Sequence, residues 1–272
     1  RLAWAHYQRG VLVDASAALE KARALTPDAL DVVLLQAELA RRNGRDDVAK
    51  GHYERFLSLG GDDFGARLAL AKGALAAKDS PAAVAHYEAA KRCFPRWVGD
   101  GDPYRSLAKL YLGDGKTAAA MKELEAFADI AQENYDVRTK LLAWYVEQKD
   151  DAGILRVCEE MVQITPFGAA RGKPPNLDVH ARWAEALLRA GRKEEAAREW
   201  KVQTLLIDLL DGEDARVKAG GVTARLELSK LLLELGRPEE ALEAALGAEG
   251  LDPTSPAVKL AVAAARAAVG DR

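Results

Sequence analysis

The chain has 272 residues and carries 39 Lys and Arg against 42 Asp and Glu, which gives a formal net charge of -3. Both signs are interspersed, so the composition excludes a protein that is drawn to nucleic acid or to an anionic membrane by net charge. No apolar run approaches the ~20 residues of a membrane-spanning helix. Hydrophobic residues make up 49% of the chain and aromatic residues only 6%, which favours closely packed helices over a β-rich core.

The sequence repeats itself about every 34 residues. Turn residues recur at this spacing, and small and bulky residues recur with them. The three series are Gly10, Gly44, Lys78, Gly115; Ala15, Ala49, Ala83, Ala120; and Leu19, Tyr53, Tyr87, Leu124. Between these positions the apolar residues follow a helical period, glycine tends to end the first helix of each unit, and proline tends to follow the second. The spacing therefore predicts a chain of helix pairs.

In chain order, the pattern predicts helix pairs at about 1–27, 28–61, 62–98, 99–134, 135–168, 175–212 and 217–253, and a final helix at 255–270. Three stretches break the spacing. The residues Val98–Asp102 and Gly168–Asn176 are predicted to be inserted loops, and Asp211–Gly221 is predicted to be rich in turns. Loops on a repeat array often lie on one face and contribute to binding, although they can also be tolerated without a role.

These residues resemble the tetratricopeptide repeat (TPR) family, in which small residues let the helices approach and bulky ones fill the gaps between them. The 34-residue spacing favours this family over the longer HEAT and armadillo repeats. The resemblance implies an all-α, right-handed superhelical solenoid of about seven helix pairs plus a terminal helix, with residues 1–272 forming one array. It also implies a concave groove lined mainly by the first helix of each pair.

No arrangement of residues points to catalysis. The histidines His6, His52, His86 and His180 fall in different repeats, and none has the spacing of a metal site. We therefore expect no enzymatic activity, no metal and no cofactor. The two cysteines, Cys93 and Cys158, have no CxxC spacing, and we expect both to be buried free thiols.

The TPR resemblance also implies which side chains face the groove. Basic residues recur along this surface with only a few acids between them, and one aromatic residue stands among them; the candidate binding residues are Arg41, Arg42, Lys72, Arg105, Lys109, Lys140, Trp144 and Arg189. Cations that converge in a concavity raise the local potential, and arginine grips carboxylates through paired hydrogen bonds. We therefore predict a scaffold that binds a protein or peptide segment in this groove, either through acidic side chains or through a C-terminal carboxylate. The Asn pair of the TPR domains that clamp chaperone tails is absent, so binding of such tails is not supported.

Two alternatives stay open. The stretches Ile164–Phe167, Asp178–His180 and Trp183–Ala186 resemble repeat regions that follow bacterial zinc-peptidase domains, so the chain could be the C-terminal part of a larger enzyme, although it lacks HExxH itself. Repeat surfaces at the two ends could also stack, so the oligomeric state is open. The chain begins with Arg1, and we expect it to be part of a longer protein. Its composition suggests a soluble bacterial protein, in the cytoplasm or the periplasm.

Overall fold

A computed structural model describes residues 1–165, 176–210 and 215–270. Within these ranges the chain forms fifteen α-helices and no strand, which confirms the predicted all-α class. The helices are α1 Leu2–Gln8, α2 Leu12–Leu25, α3 Leu30–Arg42, α4 Asp46–Ser58, α5 Phe64–Ala76, α6 Ser80–Cys93, α7 Pro103–Gly113, α8 Thr117–Ile130, α9 Tyr135–Gln148, α10 Asp151–Ile164, α11 Leu177–Arg189, α12 Lys193–Asp208, α13 Ala215–Glu234, α14 Pro238–Leu251 and α15 Pro256–Gly270. None of these helices combines the length and the apolar character that a membrane span requires.

The chain divides into two compact units, Arg1–Ala131 and Gln132–Arg272. In the first unit, α1 packs on α2, α3 on α4, α5 on α6, and α7 on α8, and the second helix of each pair also contacts the first helix of the next. In the second unit, α9 to α14 pair in the same way, and α15 packs on α13 and α14. That both units belong to one continuous array stays a prediction.

Small residues at the repeated positions let the helices of a pair approach closely. Ala37 and Ala49 are buried where α3 meets α4, and the rings of Tyr53 and Phe56 fill the space beside them. In the second unit, Ala184, Ala196 and Ala241 are fully buried, and Trp200 packs among them. Because such contacts depend on dense packing, each pair is held by its neighbours rather than by a single central core.

The first helix of each of seven pairs ends in a residue with left-handed backbone conformation. Five of these residues are glycines and two are lysines, namely Gly10, Gly44, Lys78, Gly115, Lys149, Gly191 and Gly236. The next backbone N–H then donates to a carbonyl five residues back, as in Asp79 N–H to the Ala74 oxygen at 2.9 Å. Nothing lies within 4 Å of a Cβ added at any of the five glycines, so the backbone conformation, not space, favours glycine there.

Two expectations from the sequence need correction. The stretch Asp211–Gly221 is not a turn throughout, because α13 already begins at Ala215; residues 211–214 lie outside the described residues. Gly221 is part of this helix, and a Cβ there would lie 2.9 Å from Leu251 Cδ1, so close packing rather than a turn explains the glycine. Of the two cysteines, Cys158 is buried as expected, but Cys93 is exposed. The loop predicted at Gly168–Asn176 falls outside the described residues except for Asn176.

Candidate functional site

Three of the predicted groove cations come together in the first unit. Lys72 lies on α5, and its ammonium group packs against the loop before α7. The closeness is measured at Gly101 of that loop, where an added Cβ would lie 3.2 Å from Lys72 Nζ. Arg105 and Lys109 follow on α7 one helical turn apart, so they share a face of that helix. All three side chains are exposed. We call these three residues the α5/α7 basic face.

The three cations of the α5/α7 basic face differ in how far they are already engaged. The Arg105 Nε donates to Asp102 Oδ2 at 2.6 Å, while Asp102 Oδ1 accepts the Arg105 backbone N–H at 2.8 Å. Asp102 is buried, and the Arg105 guanidinium also lies 4.7 Å from the centre of the Phe127 ring. Lys72 and Lys109, by contrast, form no ion pair with any residue that the structure describes. The two lysines are therefore the cations that an acidic ligand finds free.

The two predicted cations on α3 are bound within the protein. Glu38 accepts hydrogen bonds from Arg41 Nη2 at 2.7 Å and from the hydroxyls of Tyr7 and Tyr53, each at 2.6 Å. The Arg42 guanidinium lies 4.6 Å from the centre of the Tyr7 ring. We call Tyr7, Glu38, Arg41 and Tyr53 the Glu38 cluster. It ties α1, α3 and α4 together, so these residues have a structural explanation that needs no ligand.

The titration of the Glu38 cluster reflects its burial and its hydrogen bonds. The Glu38 side chain is only 14% exposed. Burial alone would raise the pKa of this carboxyl, but hydrogen bonds from Tyr53, Tyr7 and Arg41 outweigh burial and leave the pKa below its ordinary value. Burial, and then the hydrogen bond to the Glu38 carboxylate, raises the pKa of Tyr53. At neutral pH the cluster therefore holds one carboxylate, one guanidinium and two neutral phenols.

The remaining predicted residues lie in the second unit. Lys140 and Trp144 are one turn apart on α9; Lys140 is exposed, and Trp144 is half-buried with its ring centre 5.0 Å from that of Tyr145. Arg189 ends α11 and donates from Nε to Asp151 Oδ1 at 2.8 Å. That hydrogen bond raises the pKa of Arg189. No hydrogen bond, ion pair or ring contact joins Arg189 to Lys140 or Trp144 within the described part of the chain.

The described residues offer little for covalent or metal chemistry. No group of three or more His, Cys, Asp or Glu among them is placed to hold a metal ion. Burial raises the pKa of the Cys158 thiol to about 12, and burial with the nearby Asp62 carboxylate raises that of Cys93. Both thiols therefore stay protonated at neutral pH, which is the unreactive form. His180 is buried and its Nδ1 lies 2.8 Å from Glu199 Oε2, an arrangement that the sequence did not reveal.

The sequence also did not reveal a pocket in the second unit. It lies between α12, α13 and α14, has a volume of about 270 Å³, and is lined by both apolar and charged side chains. Arg225 on α13 is buried and lines this pocket. The residues that line the pocket come from three different helices, so no local sequence pattern predicts the pocket. We call it the Arg225 pocket.

No protein-family model matches the chain, and no curated protein matches it. Among solved structures it is similar to the C-terminal part of a TPR repeat-containing protein from Cytophaga hutchinsonii, at 14% identity over 96% of this chain and 98% of that chain, with a TM-score of 0.45. It is similar to a tetratricopeptide repeat protein from Parabacteroides merdae, at 13% identity over 97% and 96% of the two chains, with a TM-score of 0.42. The TPR-like repeats of a putative kinesin light chain from Podosopora anserina show 17% identity over 69% and 94%, with a TM-score of 0.40. All three similarities are distant.

Proposed function

We propose that this protein is a non-enzymatic interaction scaffold that binds an acidic protein or peptide segment. The observation that carries this proposal is the α5/α7 basic face, where Lys72 and Lys109 are exposed and unpaired beside Arg105. A carboxylate-rich segment laid across it would gain charge-assisted hydrogen bonds, which are stronger than those between neutral groups. Packed helix pairs hold such side chains on a preformed surface, so little backbone order has to be gained on binding.

The wider groove of eight residues is a weaker basis for the proposal. Arg41, Arg42 and Arg189 each have an intramolecular partner, so a ligand would compete with Glu38, the Tyr7 ring or Asp151. Lys140 and Trp144 remain candidates, and Trp144 would serve as an aromatic anchor. The proposal therefore rests on the first unit and extends to the second only as a prediction.

The test is the double variant Lys72→Glu/Lys109→Glu. Binding of a fluorescently labelled peptide that alternates Glu with Leu is followed by anisotropy at constant ionic strength. We expect the variant to bind roughly tenfold more weakly or worse, because two attractive contacts become repulsive. Arg105 is left in place, because a glutamate there would face the buried carboxylate of Asp102 and weaken the start of α7.

The matched control is Lys21→Glu/Lys122→Glu, which changes the net charge equally at exposed lysines on α2 and α8. Both are second helices of their pairs. Circular dichroism checks that each variant keeps its helix content. If both double variants lose the same affinity, the attraction is unspecific; if neither loses affinity, the α5/α7 basic face is not the site. Either result contradicts the proposal.

The resemblance of residues 164–186 to repeat tails of zinc-peptidase proteins stays a prediction. Residues 166–175 of that stretch lie outside the described residues. No described side chain favours this alternative specifically.

A further inference from the structure

The Arg225 pocket has an apolar floor and a charged rim. Leu228 and Leu232 of α13 form the floor, and Ala197 and Ala244 contribute the walls from α12 and α14. At about 270 Å³ it is slightly smaller than the pockets that hold drug-sized ligands, which measure about 300–1,000 Å³. Its size and lining therefore fit a compact apolar group rather than a large cofactor.

Arg225 places a buried guanidinium at this pocket. The residue is only 7% exposed. Its Nη2 donates to the Asp208 carboxylate, and its Nη1 donates to the Gly221 carbonyl oxygen at 3.3 Å. These contacts use two of the five N–H donors of the guanidinium group, and Arg225 has no further hydrogen bond within the described residues. A buried, partly unsatisfied cation on a cavity wall is an anchor for an acceptor group.

The chain makes room for this guanidinium with glycines. A Cβ added at Gly247 of α14 would lie 2.9 Å from Arg225 Nε, and one at Gly221 of α13 would lie 3.2 Å from Nη1. Both glycines stand inside helices, where glycine is among the least favourable residues. An apolar side chain at position 225 would fill the space between these helices without requiring the two glycines. Packing alone therefore does not account for an arginine at this place.

The charges around the pocket favour an anion on the side of α12. Arg198 and Lys201 stand on this rim; Arg198 has no ion pair in the described part of the chain, whereas Lys201 Nζ lies 3.8 Å from Glu240 Oε2. On the opposite rim Arg237 holds the Glu240 carboxylate through two hydrogen bonds of 2.7 Å, which neutralises that acid. Glu243 and Asp208 are the other acids of the lining, and Asp208 is paired with Arg225. The basic side chains outnumber the acidic ones by four to three.

We propose that the Arg225 pocket binds a carboxylate joined to a compact apolar group. The carboxylate lies on Arg225, and the hydrocarbon part lies on Leu228 and Leu232. This site is separate from the α5/α7 basic face and does not depend on the proposed function. The same chemistry is offered by a small free acid and by the C-terminal residue of a peptide, and the experiment distinguishes the two.

The probes are N-acetyl-leucine and N-acetyl-leucinamide, which have nearly the same shape and differ in the carboxylate. Isothermal titration calorimetry measures their affinities for the full chain, and N-acetyl-Ala-Ala-Leu with a free or amidated C-terminus forms a second pair. We expect the acid of at least one pair to bind roughly tenfold more tightly than its amide, because only the carboxylate carries a charge that pairs with the guanidinium. Preference in the first pair indicates a small acid; preference confined to the tripeptides indicates a protein C-terminus.

Two variants test the roles of the residues. Arg225→Met should abolish the preference for the acid while the amide binds as before, whereas the control Lys230→Met, at an exposed lysine of the same helix, should keep it. Ala244→Leu should weaken the binding of acid and amide alike, because the larger side chain fills the apolar part of the pocket. This variant leaves Arg225 unchanged, so it still tests the pocket if Arg225→Met fails to fold. Equal binding of acid and amide to the unaltered protein, no binding of either pair, or a preference that survives Arg225→Met would each overturn the proposal.

Discussion

The Glu38 cluster and the Arg225 pocket each contain an ionised side chain inside a stack of helices, but they differ in how completely it is satisfied. Glu38 accepts from Tyr7, Tyr53 and Arg41. Arg225 donates only to Asp208 and Gly221, among the residues that the structure describes, and lines a cavity. A fully bonded buried charge holds its helices in one arrangement, whereas a partly bonded one retains donors for a ligand. The difference separates a structural polar cluster from a candidate site.

The largest effect is expected from Glu38→Ala. It leaves the Tyr7 and Tyr53 hydroxyls without their acceptor, so we expect the free energy of unfolding to fall by roughly 3 kcal/mol. Urea unfolding followed by circular dichroism measures the change. The control is Glu54→Ala on α4. The exposed Glu54 carboxylate lies 3.8 Å from Lys50, so its removal should change the free energy of unfolding by less than about 0.5 kcal/mol. Similar losses in the two variants would show that the Glu38 cluster is not structural.

An intermediate effect is expected at the Arg225 pocket, and it should be asymmetric. Asp208→Ala removes the carboxylate from a buried guanidinium, so we expect a loss of about 2 kcal/mol in the free energy of unfolding. Arg225→Met leaves Asp208 in water, because its side chain is 56% exposed, and should cost less than about 1 kcal/mol. The same urea titration measures both. If Arg225→Met is the more damaging change, Arg225 is a structural residue like Glu38.

The smallest effect is a difference in acid sensitivity. The pKa of Glu38 is lower in the folded protein than its ordinary value of 4.5, so its ionisation stabilises the fold fully above about pH 4.5. This stabilisation is lost as the pH falls through the lowered pKa, because the folded state must then take up a proton on a bonded carboxylate. The Tm of the unaltered protein should therefore fall more steeply below pH 4.5 than the Tm of Glu38→Gln. Parallel curves would mean that the Glu38 cluster does not favour the ionised form.

The sequence predicted the helix pairs because their spacing is set by local backbone needs. The left-handed helix ends at Gly10, Gly44 and Gly115 are visible as glycines, and the spacing identified Lys78 as their equivalent. Lys149 has the same conformation but was missed, since nothing in its side chain marks it. Gly221 was misread as part of a turn, because a glycine that opens a turn and a glycine that permits close packing look the same in a sequence.

The candidate site was harder to predict, because helix register says which way a side chain points but not what it meets. The register selected Arg41, Arg105 and Arg189 without showing that Glu38, Asp102 and Asp151 already bind them. Helix register also selected Lys72 and Lys109, the two lysines of the α5/α7 basic face, which have no partner in the described chain. Helix register did not predict the Arg225 pocket, because the cavity forms only where three helices pack together.

The side-chain hydrogen bonds that join successive helix pairs span short stretches of chain. Tyr7 and Glu38 are 31 residues apart, Lys91 and Glu123 are 32 apart, and Arg237 and Glu194 are 43 apart. Structures built from such local contacts form quickly, because little loop entropy is lost before each contact is made. Duplication or loss of one helix pair would alter only the interfaces on either side of it. The length of such a protein can therefore change in evolution by whole pairs, while the Glu38 cluster and the Arg225 pocket each stay intact.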